Sequence, residues 1–283
     1  MSEKRRNEIF GAHAAEAGGM PQSDVMKDEF DWEIPVETVP LPSEGKVYDV
    51  NSPLYGKQTI DIKAMTAKEE DILTSRALIK KGTVITHLLQ SCITEKGISV
   101  KDMLVGDRNA LMVAVRITGY GTDYNAEVTC PACDSKNSET FNLGELPLKR
   151  LTIDPIGMGE NIFSFMLPVT KKEVHFKFLT GRDEEEMSLI AERKKSALPE
   201  MRGESLVTSR LARSIIAIDG VTDKNKINLF VSKMPAQDSR KLRAFMDASE
   251  PGIDMIGWLS CSNCGESSEV GLPLGASFFW PRD

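Results

Sequence analysis

Alternation of apolar and polar residues first becomes regular at Thr59, where TIDIKAM has the period of a half-buried strand. We expect the ordered core to begin there. The following TAKEEDILTSRALIKKG predicts a helix, with Thr66 as N-cap and Glu69 at the capping-box position. Gly82 follows two lysines and is placed to end it.

The pattern then predicts two more helices and a pair of strands. VITHLLQSCI (84–93) and DRNALMVAVRITGYG (107–121) have helical spacing, and Asp107 is the predicted N-cap of the second. YNAEVTC alternates as a strand and leads into the pair Cys130/Cys133, and SETFNL leads out of it. The first CxxC is therefore expected at the turn of a hairpin.

A similar order of elements recurs in the second half of the chain. IDIKAMTAKEEDIL (60–73) aligns with VHFKFLTGRDEEEM (174–187), and a second CxxC again follows helical segments and a strand. An insertion near LPEMRGE or VTDKNKIN would make up the greater length of the second half. We predict an α+β fold made by degenerate tandem duplication of a strand–helices–Cys-hairpin unit. A coincidence between two ordinary strand-to-helix junctions is the alternative.

The flanking segments differ in composition from these repeats. The first of the residues before the repeats are rich in Ala, Gly and charged residues. The residues that follow them are rich in proline, which fixes φ and removes a backbone donor. At the other end, Phe278, Phe279 and Trp280 are expected either to dock on their own domain or to anchor an interface. The predicted segments are a flexible N-terminal arm (1–30), a proline-rich extended strap (31–58), the first repeat (59–150), the second repeat (151–275) and an aromatic C-terminal tail (276–283).

Two CxxC pairs carry the clearest chemical signal, Cys130/Cys133 and Cys261/Cys264. Two thiolates on one tight turn can face one metal, and two such turns complete a tetrahedral site with no open position. Closed thiolate coordination favours one structural Zn²⁺ per chain, with iron as a weaker alternative. Because the pairs are far apart in sequence, we expect a composite Cys₄ zinc ribbon that joins the two halves.

Three other interpretations of these cysteines remain open. A thioredoxin-like redox pair needs a helix N-terminus after the first cysteine, whereas polar, turn-like residues follow each pair. Two separate sites would need histidine ligands, yet His13, His87 and His175 are all distant from both pairs in sequence. Unligated thiols are the third possibility. Cys92, alone in an apolar helical pattern, is expected to be a small buried hydrophobe.

Composition narrows the functional classes. The net charge of −7 disfavours nucleic-acid binding, which depends on basic residues that neutralise phosphates. Lys194–Lys195 and Arg240–Lys241–Arg243 could form local basic patches, but on predicted helices such charges usually face solvent. The chain has no apolar run that could span a bilayer and no apolar secretory segment at its N-terminus, so a reducing cytosol is expected.

Nothing in the sequence indicates an active site. We find no phosphate-binding loop, nucleotide fingerprint, HExxH or nucleophile-elbow motif. The acidic runs at 69–71 and 183–186 lie where predicted helices begin, and acids there complement the helix dipole. The chain is therefore expected not to be an enzyme.

Several short strings, densest from about residue 41 to residue 148, carry a resemblance. They are LPSEGKVY (41–48), IKAMTAKEEDILTS (62–75), IKKGT (79–83), MLVGDRN (103–109), RITGYG (116–121), Tyr124 and CPAC (130–133). Together they resemble the T4-type bacteriophage baseplate protein family, which includes hub subunits and hub-assembly proteins of contractile-tailed phages. The resemblance implies a virion or virion-assembly protein made in a bacterial cytoplasm and located near the tail hub.

These observations leave four candidate functions for the protein, each of which can be tested. The first is a structural baseplate component in the virion, bound to other tail proteins (hub, wedge or tape measure) and to no membrane or small-molecule substrate. The second is an assembly chaperone for the hub or tape measure that is absent from the mature particle. A zinc-ribbon regulator that binds nucleic acid and a dithiol oxidoreductase are the third and fourth.

Overall fold

The computed structural model describes residues 8–9, 34–196, 206–274 and 276–280. Within them, helices are combined with small antiparallel sheets, which confirms the predicted α+β class. The predicted arm, residues 1–30, lies outside these residues except for Glu8–Ile9. No helix in the described ranges is both long and apolar enough to cross a membrane.

The described part of the chain contains eight α-helices and twelve strands. The helices are Ala67–Thr74 (α1), Arg76–Lys81 (α2), Val84–Cys92 (α3), Val105–Tyr120 (α4), Gly181–Ser196 (α5), Leu206–Ser214 (α6), Lys224–Lys233 (α7) and Ala236–Ser249 (α8). The strands are Glu8–Ile9 (β1), Val36–Pro40 (β2), Thr59–Lys63 (β3), Asp123–Thr129 (β4), Lys136–Asn142 (β5), Pro147–Lys149 (β6), Phe163–Met166 (β7), Glu173–Phe176 (β8), Ile215–Ile218 (β9), Gly252–Ile253 (β10), Ile256–Ser260 (β11) and Ser267–Gly271 (β12).

These strands form five small sheets. Three of them are antiparallel pairs: β2 with β3, β4 with β5, and β11 with β12. The other two have three strands, in the orders β7–β8–β9 and β1–β6–β10. In the second of these, β6 lies between a strand from the N-terminal region and one from the second half, so distant parts of the chain meet there.

The first helical prediction is confirmed with one break. Ser75 has an extended conformation (φ −64°, ψ 102°) and divides the predicted helix into α1 and α2. The Thr74 hydroxyl donates to the carbonyl of Asp71 (3.0 Å). Such side-chain bonds to the backbone make Thr and Ser poor interior helix residues, which accounts for the break. Gly82 ends α2 in the left-handed region, as predicted.

Asp107 does not cap α4, contrary to the prediction. The helix starts earlier, with Leu104 at the N-cap position, and Asp107 lies inside it and is fully buried. Its carboxylate accepts from the Ser43 backbone N–H (2.9 Å), the Ser43 hydroxyl (2.6 Å) and the Tyr48 hydroxyl. Burial raises the pKa of Asp107, and these donors act in the opposite direction. Asp107 therefore fastens the 41–48 segment to α4.

The hydrophobic core begins before Thr59, where the alternation pattern had placed it. Val39, Leu41 and Leu54, all from the predicted strap, are nearly inaccessible to solvent and belong to the same core as α3 and α4. They come from a short strand and a series of turns, which show no regular periodicity. The sequence pattern therefore gave no sign that this segment is buried.

The two strand-to-helix junctions that suggested a duplication have the same hydrogen bonds. In each, an acid accepts from the threonine backbone N–H three residues before it and pairs with a lysine three residues earlier still. The residues are Lys63, Thr66 and Glu69 in the first junction and Lys177, Thr180 and Asp183 in the second. The lysine-to-acid distances are 2.9 Å and 2.7 Å. This agreement supports the duplication, which stays a prediction.

The aromatic C-terminal segment docks on its own domain. Phe278 and Phe279 are fully buried, and Phe278 packs edge-to-face on Tyr124 with ring centroids 4.9 Å apart. The Arg116 guanidinium donates to the Phe278 carbonyl (3.2 Å). Only Trp280 of the three aromatics stays substantially exposed.

Candidate metal centre

Each cysteine pair lies at the turn of a two-stranded hairpin, as predicted. The Cys130 N–H donates to the carbonyl of Ser135, and the Cys261 N–H to that of Glu266, both at 2.9 Å. A left-handed residue closes each turn: Asp134 (φ 55°) in the first and Gly265 (φ 72°) in the second. The two turns therefore present their sulfurs in the same way.

The two hairpins pack face to face because buried and exposed residues alternate along their strands. Val128 of the first hairpin and Leu259 and Val270 of the second are buried. Gly257 lies directly against Phe141: a Cβ atom at position 257 would be 2.4 Å from Phe141 Cδ1, so a side chain there would force the ring or the hairpin to shift. The absence of a side chain at Gly257 allows this close approach between the two hairpins.

The four cysteines converge, although they come from distant parts of the chain. Their sulfurs all lie within 4.8 Å of one another. Cys130 Sγ is 3.8 Å from Cys264 Sγ, and Cys133 Sγ is 3.7 Å from Cys261 Sγ. A tetrahedral zinc site with bonds of about 2.3 Å has sulfur-to-sulfur edges of about 3.8 Å. These contacts are too long for disulfides, and the four residues fit a tetrahedral metal ion.

Ser135 and Asn137 support the sulfurs, and the sequence analysis missed both. The Ser135 hydroxyl is 3.0 Å from Cys133 Sγ and 3.3 Å from Cys261 Sγ. The Asn137 amide nitrogen is 3.6 Å from Cys261 Sγ, and its oxygen accepts from the Ser262 N–H (3.1 Å). Asn137 thus binds the second turn from the first hairpin. An asparagine at an inward-facing position of β5 was the available signal.

The cluster does not ionise uniformly. The Ser135 hydroxyl and the Cys264 backbone N–H lower the pKa of Cys261 to about 5. The Glu266 backbone N–H favours the Cys264 thiolate, yet the neighbouring Cys133 and Cys261 thiols raise the pKa of Cys264 to about 12. Neighbouring thiolates repel one another. A cation among the four sulfurs would remove that penalty, since metal binding deprotonates coordinating thiols.

The arrangement argues against the redox and the two-site interpretations of the cysteines. Both pairs lie between β-strands, so neither thiol has the helix N-terminus that a thioredoxin-like pair uses. Among the described residues, the cluster contains no histidine, and His13 lies outside them. Cys92 is buried in α3, as predicted, and burial raises the pKa of its thiol to about 11.

The predicted basic patches do not alter this picture. Arg240, Lys241 and Arg243 are exposed on α8. The side chains of Lys194 and Lys195 lie outside the described ones. A solvent-facing set of three cations on an acidic protein gives no geometric indication of a nucleic-acid site.

Comparison with known protein families gives evidence that is independent of the site geometry. A family model described as T4 bacteriophage base plate protein matches residues 38–280, which is most of the chain. No curated protein and no solved structure matches the chain. The matched region contains both hairpins and the whole core, including the 41–48 segment that Asp107 fastens to α4. The chain belongs to the T4 bacteriophage base plate protein family.

Proposed function

We propose that the chain is a non-enzymatic structural subunit of a contractile phage tail baseplate, located in the hub region and retained in the virion. Family membership over residues 38–280 is the observation that carries the proposal. The cysteine cluster supports a structural role, because four thiolates around one ion leave no coordination position for a substrate.

In this proposal Cys130, Cys133, Cys261 and Cys264 hold one structural Zn²⁺. Soft thiolate ligands and tetrahedral spacing favour zinc, with iron as the weaker alternative. The ion would cross-link the two hairpins, and its binding energy would contribute to folding. Elemental analysis of the purified chain should give about one zinc per chain. A metal-free chain of unchanged stability would refute the zinc assignment.

The proposed partners are other tail proteins: hub, wedge or tape measure. The predicted interfaces are the N-terminal arm (1–30), the proline-rich strap (31–58) and the C-terminal tail (276–283). Because Phe278 and Phe279 are buried in the core of the chain, an interface at the C-terminal end would have to use Trp280 and the residues after it. Trp280 is 40% exposed. Trp is frequent among the residues that dominate binding energy at interfaces.

Quantitative mass spectrometry of purified particles tests the virion role. Peptides of this chain should appear at a fixed ratio to those of other baseplate proteins, after synthesis in the host cytoplasm. Presence in the infected-cell lysate with absence from the particle would instead support the alternative function, an assembly chaperone for the hub or tape measure.

A further inference from the structure

Two loops that contain none of the cysteines form an exposed apolar surface. It consists of Val50 and Tyr55 from the 49–57 loop and Ile156 and Met158 from the 154–162 loop, and we call it the loop patch. Met158 is 82% exposed, and Val50 and Ile156 are both more than half exposed. Single exposed apolar residues are ordinary on a protein surface, whereas a contiguous group indicates an interaction site.

Gly159 shows that the two loops are in contact. A Cβ atom there would lie 3.1 Å from Val50 Cγ1 and 3.3 Å from Tyr55 Cε2. Met158 precedes Gly159 directly, and the Ile156 N–H donates to the carbonyl of Ile162 (2.8 Å), which closes the second loop. The apolar side chains of the two loops therefore make one surface.

The first loop holds its shape without any partner. The Ser52 N–H donates to the Asp49 carbonyl (2.7 Å), and the Gly56 N–H donates to the Gly45 carbonyl (3.0 Å). Gly45 has φ +69°, and a Cβ atom there would be 2.4 Å from the Lys57 nitrogen, so this turn requires glycine. A preformed loop loses little conformational entropy on binding, which favours docking.

Three carboxylates surround the loop patch. Asp49 and Asp154 each lie within two residues of a patch side chain, and the Glu160 side chain reaches back to Gly157, between Ile156 and Met158. All three acids are exposed. In the described part of the chain, none of them has an ion-pair partner. The surface thus combines an apolar centre with a negative rim, and Lys57, the lysine of the first loop, is paired with Glu95.

We propose that the loop patch docks an apolar segment flanked by Lys or Arg residues on a different baseplate protein. The identity of the partner rests on the proposed baseplate function, while the chemistry rests on the patch. A symmetric dimer through this surface would place carboxylates against carboxylates, which disfavours a second copy of this chain. Basic residues of a partner would neutralise the rim and orient the apolar contact.

Site-specific photo-crosslinking in infected cells tests the proposal. The photoreactive amino acid p-benzoylphenylalanine replaces Met158 in the full chain. A matched probe replaces Leu229, an exposed apolar residue of α7 (56% exposed). We expect position 158 to yield a peptide from another tail protein with an apolar residue beside Lys or Arg, at a yield at least about tenfold above position 229. Equal yields, or crosslinks to a second copy or to residues 10–33 of the same chain, would overturn the proposal.

Surface variants provide a second test of the same contact. Val50→Asp and the double reversal Asp49→Lys with Asp154→Lys should each reduce the crosslink from position 158 about tenfold, while thermal unfolding stays unchanged. Leu229→Asp is the control for Val50→Asp, because the two side chains are 56% and 55% exposed. An undiminished crosslink in both patch variants would refute docking at this surface.

These outcomes separate the loop patch from the proposed function. A chain that is absent from particles but crosslinks to a tail protein through position 158 would refute the virion role and retain the patch. A chain present in particles at fixed stoichiometry with no tail-protein crosslink at position 158 would refute the patch alone.

Discussion

Gly257→Ala should weaken the contact between the two cysteine hairpins. The added Cβ would lie 2.4 Å from Phe141 Cδ1 and 3.1 Å from Leu272 Cδ2. An ordinary contact needs at least about 3.4 Å, so the ring or a hairpin must shift by about 1 Å. The Phe141 ring is buried and has little room to move. Overpacking of this kind costs about 1–3 kcal/mol.

Urea unfolding followed by circular dichroism measures this cost. A loss of about 2 kcal/mol should lower the unfolding midpoint by about 0.5–1 M urea at an unchanged slope. Gly271→Ala is the matched control, because Gly271 is in the same hairpin and a Cβ there meets no atom within 4 Å. That control should stay within about 0.5 kcal/mol of the parent protein.

A double variant separates the steric clash from a loss of backbone freedom. Phe141→Leu alone should destabilise the core, but combined with Gly257→Ala it should cost less than the sum of the two single changes. Purely additive free energies, or a Gly257→Ala protein as stable as the parent, would show that close approach at Gly257 does not hold the hairpins together.

The other predictions concern metal binding, the support of the second turn and the response to acid. Cys130→Ser and Cys261→Ser should each lower the zinc content measured by elemental analysis and reduce the unfolding free energy by several kcal/mol. Asn137→Ala should cost about 0.5–1.5 kcal/mol in urea unfolding, because the Ser262 N–H loses its protein acceptor at a partly buried site. Burial opposes ionisation of Asp183, but hydrogen bonds from Lys177 and Thr180 hold its pKa below the usual value. A lowered folded-state pKa stabilises the protein above about pH 4, and this contribution is lost on acidification. Asp183→Asn should therefore lower the unfolding free energy by about 1–3 kcal/mol near pH 7. Below about pH 4 its stability should approach that of the parent protein.

Each of these changes has a control variant, and the cysteine and Asp183 predictions each have a result that would contradict them. Cys92→Ala should keep its zinc, and full metal content in both cysteine-to-serine proteins would contradict the proposed site. Ser138→Ala, an exposed neighbour of Asn137 on β5, should be neutral. Asp71→Asn, at an exposed position of α1, should be about as stable as the parent protein near pH 7. A constant gap between Asp183→Asn and the parent from pH 3 to pH 7 would contradict the assigned pKa direction.

Local patterns predicted the parts of the fold that depend on near neighbours. The strand at Thr59, helix α3 and both cysteine hairpins follow from periodicity and spacing within about fifteen residues. The cysteine cluster could also be predicted from the sequence. Each CxxC turn is a half-site that needs two more ligands, and the two turns match. The turn sequences do not predict the close contact of Gly257 with Phe141 between the two hairpins.

Roles set by distant partners could not be predicted. Asp107 has the residue type and position of a helix cap, and only Ser43 and Tyr48, about sixty residues earlier, make it a buried acceptor. Asn137 likewise acts on Ser262, on the other hairpin. Neither pairing has a signature within one window of sequence, since such contacts are decided by packing of the whole chain.

The β1–β6–β10 sheet has a consequence for how the protein forms. Leu148 pairs with Glu8 on one side and with Ile253 on the other. Gly106 lies against the Pro251 carbonyl, and a Cβ atom added at position 106 would be 1.7 Å from that oxygen. These contacts have very large sequence separations, which slow folding. A nascent chain released as far as residue 150 lacks the strand and the loop that complete its own first half. These contacts of the first half can therefore form only after synthesis has passed residue 253.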